Sequence, residues 1–342
     1  MQFQPQVPLA PYTTLGVGGP ARWFAEAASE DDIGEALEFA RQRNLPLFVL
    51  GGGSNLLVAD AGYDGLVLHI ALRGVERQGD IYRAGAGEDW DALVAQAVAE
   101  NLAGVECLSG IPGTVGGTPV QNVGAYGQDV AETIVEVRAI EAGTGKAVIF
   151  SREECAFSYR RSRFNGQDAG KYILTSVSYK LRSDGAPALK YPELRRSLPD
   201  ASEPSLAQVR ETVKKIRRSK GMLLVAGDPD CHSAGSFFKN PIVDLATADR
   251  VAAIPGNDTA NMPRYPESQG RVKLSAAWLI EQAGIAKGFT LGRAGVSSRH
   301  TLALINRGGA AAAELRALRD HIRTAVEKRF GVWLEQEPVM LG

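Results

Sequence analysis

The chain has 342 residues, with 38 Lys and Arg against 39 Asp and Glu, so its formal net charge is −1. Charged residues are 23% and hydrophobic ones 44%, which is typical of a globular protein and excludes a disordered or fibrous one. The sequence has no basic run, so nucleic acid is not an expected partner. It has no apolar run long enough for a transmembrane span, and no membrane association is expected.

The first residues lack the charged and apolar regions of a signal peptide. The three cysteines are widely spaced and form no CxxC pair, which predicts neither a disulfide framework nor a metal site. We therefore expect a cytoplasmic protein with free thiols.

The first half of the chain predicts alternating helices and strands. Ser29 and Asp32 form a capping pattern, and Ile33, Leu37 and Ala40 form the apolar stripe of the helix that follows. Strands are predicted at 46–50, 65–70, 81–84, 134–140, 147–150 and 172–181, with a helix from Trp90 to near Leu102 and a hairpin turn at Gly143–Gly145.

The second half is also mixed. Residues 183–204 are rich in Pro, Ser, Asp and Arg and predict a surface loop, whereas residues 206–216 have the spacing of an amphipathic helix. Residues 221–230 interrupt that helix and indicate a domain boundary. Beyond it, strands are predicted at 236–238 and 301–305, and helices at 244–253, 274–283 and 310–330. The class is α+β with three subdomains.

The chain has 38 glycines, well above average usage, and they are clustered. The predicted strand 46–50 runs into Gly51-Gly-Gly-Ser-Asn55. Three glycines allow successive backbone N–H groups to face one concavity, which suits a diphosphate. The alternative is a tight connection between strands, but three consecutive glycines would destabilise a mere connection. We favour a ligand site.

A second segment, Ser109–Gly127, has six glycines interleaved with polar residues and almost no charge. A flexible linker would lack its regularly placed apolar anchors, so a loop folded against a neutral, hydrogen-bonding ligand fits better. Two such segments suggest a dinucleotide. Common nucleotide fingerprints fail: Gly143–Lys146 lacks the first glycine of a phosphate-binding loop, and Gly16–Ala21 contains Pro20 and has no predicted strand before it.

Three polar positions are candidates for chemistry, although none is decisive alone. Arg160 lies in the short basic patch Tyr159–Arg163, for which a solvated face is the alternative. Ser236 precedes two phenylalanines and could simply cap a strand, since no GxSxG elbow indicates a serine hydrolase. Glu337 lies among apolar residues near the end of the chain, where a half-exposed strand is equally compatible.

Taken together, the motifs resemble the UDP-N-acetylenolpyruvoylglucosamine reductase (MurB) family, flavoenzymes of peptidoglycan precursor synthesis. The resemblance is carried, in family order, by Tyr12–Gly19, Gly51–Asn55, Ile111–Gly117, Gln121–Gly127, Phe157–Arg160, Ala234–Pro241, Lys273–Ile280 and Leu334–Glu337. Each motif alone is weak, but eight in order across nearly the whole chain are specific.

The resemblance implies an α+β fold with a two-subdomain FAD-binding module of the vanillyl-alcohol-oxidase (PCMH) type and a third α+β substrate-binding domain. We expect FAD-binding subdomain 1 at 1–70, joined by the C-terminal residues 331–342, subdomain 2 at 71–220 and the substrate-binding domain at 221–330. The resemblance also implies non-covalent FAD, NADPH as co-substrate and a UDP-sugar as substrate. We expect a monomer.

The implied activity is reduction of the enolpyruvyl ether of UDP-N-acetylglucosamine enolpyruvate to UDP-N-acetylmuramate. A hydride delivered by reduced FAD to the vinyl carbon leaves negative charge on the neighbouring carbon and its carboxylate. The resemblance assigns Arg160, Ser236 and Glu337 as catalytic. Arg160 supplies a permanent cation and Ser236 the proton, while Glu337, kept protonated by apolar neighbours such as Trp333, donates a hydrogen bond.

The remaining site residues also follow from the resemblance. FAD contacts are expected at Gly51, Gly52, Gly53, Ser54, Asn55, Leu56, Pro112, Gly113, Thr114, Gly116, Gly117, Gln121, Asn122 and Gly124. Substrate contacts are expected at Tyr126, Tyr191, Arg217, Lys220, Asn240, Lys287 and His300, with Tyr191 as the tyrosine that closes over the substrate. Two positions depart from the family member compared: His300 replaces Gln, and Val339 replaces Arg. The segment 221–232 is also longer here.

Two other functions stay open from the sequence. One is another flavin oxidase or dehydrogenase of the same fold acting on an alcohol or sugar, although such relatives often attach flavin through a His or Cys that the glycine clusters lack. The other is a non-catalytic nucleotide-binding or regulatory protein that has kept the two glycine-rich segments.

Overall fold

The computed structural model describes residues 1–183, 185–198, 203–254 and 262–342. The chain forms two compact units. The first unit combines residues 1–7, 20–53 and 63–218, and the second combines residues 8–19, 54–62 and 219–342. The assignment of three domains at 1–70, 71–220 and 221–330 stays a prediction.

The secondary structure alternates throughout the described chain. The helices are α1 (Glu30–Gln42), α2 (Trp90–Ala99), α3 (Pro192–Ser197), α4 (Leu206–Ser219), α5 (Leu245–Ala252), α6 (Ala276–Gln282) and α7 (Ala312–Phe330). The strands are β1 (Gln4–Pro8), β2 (Pro20–Ala27), β3 (Leu47–Leu50), β4 (Leu56–Val58), β5 (Tyr63–Ile70), β6 (Val75–Gln78), β7 (Ile81–Gly85), β8 (Leu102–Ala103), β9 (Gly124–Ala125), β10 (Gln128–Asp129), β11 (Ile134–Glu141), β12 (Ala147–Ser151), β13 (Tyr172–Lys180), β14 (Arg182–Ser183), β15 (Ser233–Ser236), β16 (Ile242–Asp244), β17 (Arg264–Pro266), β18 (Arg271–Leu274), β19 (Thr290–Leu291), β20 (Ala294–Val296), β21 (Ala303–Asn306) and β22 (Val339–Leu341).

Two larger sheets organise the first unit. One has the order β1-β2-β5-β3, with β2 and β3 parallel to β5, and it packs against the buried face of α1. The other is antiparallel with the order β12-β11-β13-β7-β6. Its core is shared with α2, where Trp90 is 1% exposed. The long apolar strands and the amphipathic helices bury one face each, which is why the layers form.

The second unit has a four-stranded antiparallel sheet, β15-β21-β20-β19, and a three-stranded one, β16-β18-β17. The last strand, β22, pairs in parallel with β4. Helices α6 and α7 supply much of the core, including Leu279, Leu318 and Ile322, all with no exposed surface. The pairing of β22 with β4 returns the end of the chain to a strand that lies almost 300 residues earlier in the sequence.

Most elements predicted from periodicity are confirmed within a few residues. The Ser29–Asp32 capping pattern is present: the Asp32 N–H donates to Ser29 Oγ, and the Asp32 carboxylate accepts from the Ser29 N–H at 2.9 Å. The predicted helix 90–102 ends earlier, at Ala99, because Asn101 adopts a left-handed conformation with φ of 55°.

Other expectations need correction. The surface loop predicted at 183–204 contains α3, whose Leu194 is fully buried against Val209 and Val213 of α4; residues 184 and 199–202 lie outside the described part. The strand predicted at 236–238 is β15, which ends at Ser236 after a register shift. Periodicity did not predict the remaining strands, most of which are short or lack an alternating pattern: β1, β2, β4, β6, β8, β9, β10, β14, β16, β17, β18, β19 and β20. Among the described helices, none has the length and apolar character that a membrane span requires.

Asp60 caps the longest helix from a distant segment, and this cap gives a stability prediction. Its two carboxylate oxygens accept from the Ala312 and Ala313 N–H groups at 2.7 and 2.9 Å. We expect Asp60→Ala to lower the free energy of unfolding by about 1–2 kcal/mol, as measured by urea denaturation. Glu327→Ala is the control, since it removes an exposed carboxylate from the same helix and should change stability by less than about 0.5 kcal/mol. Equal effects of the two variants would contradict the capping role.

Candidate active site

The two glycine-rich segments of the first unit lie directly against each other. A Cβ built on Gly51 would lie 2.8 Å from Thr114 Oγ1, and one on Gly52 would lie 2.6 Å from Gly113 Cα. Real Cβ atoms do not approach other atoms so closely, so a side chain at Gly52 would displace the main chain of the second loop, and one at Gly51 would displace the Thr114 side chain. The glycines at the end of β3 are therefore required by the packing of the two loops, whatever else they bind.

Thr114 supplies the observation that points to a ligand. Its Oγ1 atom is buried and makes no hydrogen bond among the residues that the structure describes. The turn that follows it, Val115–Gly117, is held rigidly, since the Val115 and Gly116 N–H groups donate to the carbonyls of Glu88 and Ala86 at 2.9 and 2.8 Å. A buried hydroxyl on a rigid loop, beside bare glycine backbone, fits a polar cofactor such as FAD.

Asn122 braces the same loop internally. Its Nδ2 donates to the Ser158 carbonyl at 3.1 Å, and its Oδ1 accepts from the Ala131 N–H at 3.2 Å. The side chain therefore fixes the position of the turn that carries Arg160. Its predicted contact with FAD, like those of Pro112, Gly117 and Gln121, stays a prediction.

Arg160 is half-buried and strained, which does not suit the alternative of a solvated basic face. Its φ of 55° is unusual for a residue with a side chain and costs on the order of 1–3 kcal/mol. The guanidinium Nη1 donates to the Gly124 carbonyl at 2.9 Å. The strained turn thus places a permanent cation against the hairpin formed by β9 and β10.

Three of the residues predicted to bind substrate meet in the first unit. Tyr126, at the tip of the β9–β10 hairpin, has its ring centroid 5.5 Å from that of Tyr191 in an edge-to-face arrangement. Burial raises the pKa of Tyr126 to about 12, and Arg217 is hydrogen-bonded to it. Arg217 is 7% exposed, and its Nε also donates to the Gly110 carbonyl at 3.0 Å. Burial lowers the pKa of this guanidinium.

The other two candidate catalytic residues meet in the second unit. Ser236 lies at the end of β15, opposite Ala303 of β21. The Glu337 N–H donates to the Phe237 carbonyl at 2.9 Å, and Phe238 and Gln336 pair in an isolated antiparallel bridge. Ser236 and Glu337 therefore lie on neighbouring segments whose register is set by the main chain.

Side chains from α7 and the β3–β4 loop hold the segment that carries Glu337. Asn55 Nδ2 donates to the Glu337 carbonyl at 3.2 Å, Arg319 Nη1 to Gln336 Oε1 at 2.9 Å, and Arg323 Nε to the Leu334 carbonyl at 2.9 Å. Three side-chain hydrogen bonds, two of them to the main chain, thus hold this segment.

Trp333 does not have the position expected of an apolar shield for Glu337. The indole is 55% exposed, and the Arg323 guanidinium carbon lies 4.8 Å from the centroid of its ring. It is a surface side chain in contact with a cation. The protonation of Glu337 stays a prediction.

The remaining predicted substrate residues are in the second unit. Asn240 Oδ1 accepts from the Ala276 N–H at 2.9 Å and so caps α6, a structural role that the sequence did not indicate. The His300 Nδ1 accepts from the Leu302 N–H at 3.3 Å. Lys220 is half-buried just after α4, and Lys287 is exposed. Their contacts with a substrate stay predictions.

Sequence reasoning missed Glu106, a carboxylate with no exposed surface. Its Oε2 accepts from the Gly104 N–H at 2.7 Å, and its Oε1 accepts from the Ala188 N–H at 2.8 Å and from Gln128 Nε2 at 3.3 Å. It thus joins the segments that carry Tyr126 and Tyr191. A single acid in an apolar run is the one signal that could have revealed it.

The described ranges contain no group of three or more His, Cys, Asp or Glu side chains that could hold a metal ion. Cys107, Cys155 and Cys231 are free and buried, and burial raises the pKa of each thiol.

Comparison with known proteins decides the family. A family model described as the C-terminal domain of UDP-N-acetylenolpyruvoylglucosamine reductase matches residues 228–341, and an FAD binding domain matches residues 21–151. UDP-N-acetylenolpyruvoylglucosamine reductase of Thermobifida fusca is 47% identical, with 99% of this chain and 98% of that protein covered, and the one of Streptomyces coelicolor is 46% identical, with 98% and 89% covered. The chain belongs to the UDP-N-acetylenolpyruvoylglucosamine reductase family.

A solved structure agrees with the sequence relatives. The crystal structure of UDP-N-acetylenolpyruvylglucosamine reductase from Thermus caldophilus matches with a TM-score of 0.69 and 28% identity, and each chain is covered completely. The resemblance seen in the sequence is thus confirmed, as are the α+β fold with an FAD-binding module and FAD as the cofactor of this reductase family member.

The contact between the two glycine-rich loops gives a prediction for cofactor retention. In Gly52→Ala the new methyl group would collide with the main chain at Gly113, so the loops separate and FAD binding weakens by about tenfold or more. Flavin absorbance per chain after gel filtration measures this. Gly34→Ala is the matched control, because a Cβ there meets no atom within 4 Å. Full flavin content in Gly52→Ala would contradict the packing argument.

Proposed function

We propose that this chain reduces the enolpyruvyl ether of UDP-N-acetylglucosamine enolpyruvate, using NADPH, to form UDP-N-acetylmuramate for peptidoglycan synthesis. Family membership supports the reaction class. The observation in the structure that carries the proposal is the main-chain register between Ser236 and Glu337, because it places a hydroxyl and a carboxyl residue on adjacent segments.

FAD, when bound, supplies the hydride. The residues that would hold it are the bare backbone at Gly51 and Gly52 and the buried Thr114 hydroxyl, which has an unused hydrogen-bonding capacity. The neighbouring Gly53, Ser54, Leu56, Gly116 and Gly124 are proposed as further contacts. None of these side chains carries charge, which suits a flavin ring and a diphosphate held by backbone N–H groups.

The catalytic roles follow from where charge develops on the substrate. Addition of hydride to the vinyl carbon leaves the adjacent carbon strongly basic, so the Ser236 hydroxyl is acidic enough to protonate it without a base at its side. Arg160 stabilises the developing charge of the carboxylate as a permanent cation. Glu337 in its protonated form donates a hydrogen bond to the same carboxylate.

The buried cluster of the first unit is proposed to bind the nucleotide part of the substrate. Arg217 is a guanidinium that burial has desolvated, and such a group favours a diphosphate. Because the pKa of Tyr126 is about 12, its hydroxyl stays a hydrogen-bond donor throughout the physiological range. Tyr191 packs against that ring and is proposed to close over the sugar. Lys220, Asn240, Lys287 and His300 are proposed as further contacts.

A cytoplasmic enzyme is proposed, because NADPH and nucleotide sugars are cytoplasmic metabolites and the three cysteines are unpaired thiols. A monomer is proposed as well.

Replacement of Ser236 separates the two half-reactions. In Ser236→Ala, reduction of bound FAD by NADPH should proceed at the wild-type rate, whereas reduction of the substrate should slow by about 10²–10⁴-fold because the proton donor is lost. Anaerobic stopped-flow absorbance measures both steps. Ser233→Ala, on the same strand, is the control for disturbance of β15. Equal slowing of both half-reactions in Ser236→Ala would contradict the role of proton donor.

A further inference from the structure

Asn55 has a role that its place in the glycine-rich loop does not suggest. It is expected to contact FAD, yet its side chain reaches the end of the chain: Nδ2 donates to the Glu337 carbonyl at 3.2 Å. Its own carbonyl accepts from the Val339 N–H at 2.9 Å. Asn55 therefore binds the main chain on both sides of Pro338.

This arrangement extends the pairing of the last strand beyond its first residue. Strand β22 pairs with β4 from Val339 onward, and the Asn55 side-chain amide adds a hydrogen bond to the Glu337 carbonyl two residues earlier. Gln336 Nε2 holds the Pro338 carbonyl between them at 2.8 Å. Without the Asn55 amide, the Glu337 N–H would keep its hydrogen bond to the Phe237 carbonyl, but the Glu337 carbonyl would lose its hydrogen bond to Asn55.

These hydrogen bonds affect the proposed chemistry because they fix the register of the segments that carry Ser236 and Glu337. The Glu337 N–H is bound to the Phe237 carbonyl, one residue beyond Ser236, and the Glu337 carbonyl is bound to Asn55. Both main-chain groups of Glu337 are thus fixed, so the peptide planes that orient its side chain cannot rotate freely. A catalytic group that is displaced by about 1 Å loses on the order of 100-fold in rate.

We propose that Asn55 is a positioning residue that sets the Glu337 carboxyl relative to the Ser236 hydroxyl. The inference rests on the proposed function of Glu337 and adds a residue through which that function is maintained. All the contacts that carry it lie within the second unit. A pure FAD contact would leave the substrate half-reaction of the flavin-loaded enzyme unchanged, and this difference makes the two roles separable.

The test is a double-mutant cycle between Asn55 and Glu337 on the FAD-loaded enzyme. Asn55→Leu removes the amide donor at similar size, and Glu337→Ala removes the carboxyl. Asn55→Leu should reduce FAD with NADPH at the wild-type rate and slow substrate reduction by about 10- to 100-fold. In the Glu337→Ala background, Asn55→Leu should slow substrate reduction by less than about twofold, because the carboxyl group that Asn55 positions is absent.

Two further variants sharpen the result. Asn55→Asp keeps the shape but places a carboxylate oxygen against the Glu337 carbonyl, so it should impair substrate reduction at least as much as Asn55→Leu. Asn55→Asp also provides the test if Asn55→Leu does not fold. Thr14→Val is the matched control, because it removes a hydrogen bond to the Ser54 carbonyl of the same loop at similar size. It should leave substrate reduction of the loaded enzyme within about twofold of wild type.

Equal slowing by Asn55→Leu in the wild-type and Glu337→Ala backgrounds would overturn the inference, as would weakened FAD binding with normal substrate reduction. Either of these two outcomes would overturn the role of Asn55 but leave the proposed function unaffected. A wild-type enzyme whose reduced FAD is not re-oxidised by the substrate would overturn the proposed function and this inference with it.

Discussion

The hydrogen bond from the Glu337 N–H to the Phe237 carbonyl is the interaction on which the second unit's chemistry depends. It joins the end of the chain to β15, and β22 continues from it into parallel pairing with β4. A serine hydroxyl and a carboxyl group that are separated by 101 positions thus come to lie on adjacent segments. The separation of their main chains is set by peptide geometry, which favours the preorganisation that electrostatic catalysis requires.

The first unit uses a different constraint, the close approach of two backbones. Gly51 and Gly52 contact Gly113 and Thr114 so tightly that no side chain fits between the loops. The same contact leaves the buried Thr114 hydroxyl beside bare peptide groups. Packing and binding are therefore not alternatives here: the glycines that allow the loops to meet also produce a surface that a flavin dinucleotide can approach.

The helices, the helix cap and the family were predictable because their sequence signals are local. Helix periodicity predicted α1, α4 and α7, the Ser29 cap is visible in the sequence, and the order of the glycine-rich motifs indicated the family. Long-range interactions left no such signal. The hydrogen bond from Asn55 to the Glu337 carbonyl and the cap of α6 by Asn240 depend on partners far apart in sequence. Helix α3 was missed because its Pro- and Ser-rich surroundings resemble a loop, although Leu194 is fully buried.

The residues brought together in each unit are proposed to serve one reduction of an enolpyruvyl nucleotide. In the decisive experiment, the FAD-loaded protein is reduced anaerobically with one equivalent of NADPH, and UDP-N-acetylglucosamine enolpyruvate is then added. We expect the flavin absorbance to return and one UDP-N-acetylmuramate to form for each flavin. A flavin that stays bleached in the presence of that nucleotide, and is re-oxidised only by air, would contradict it.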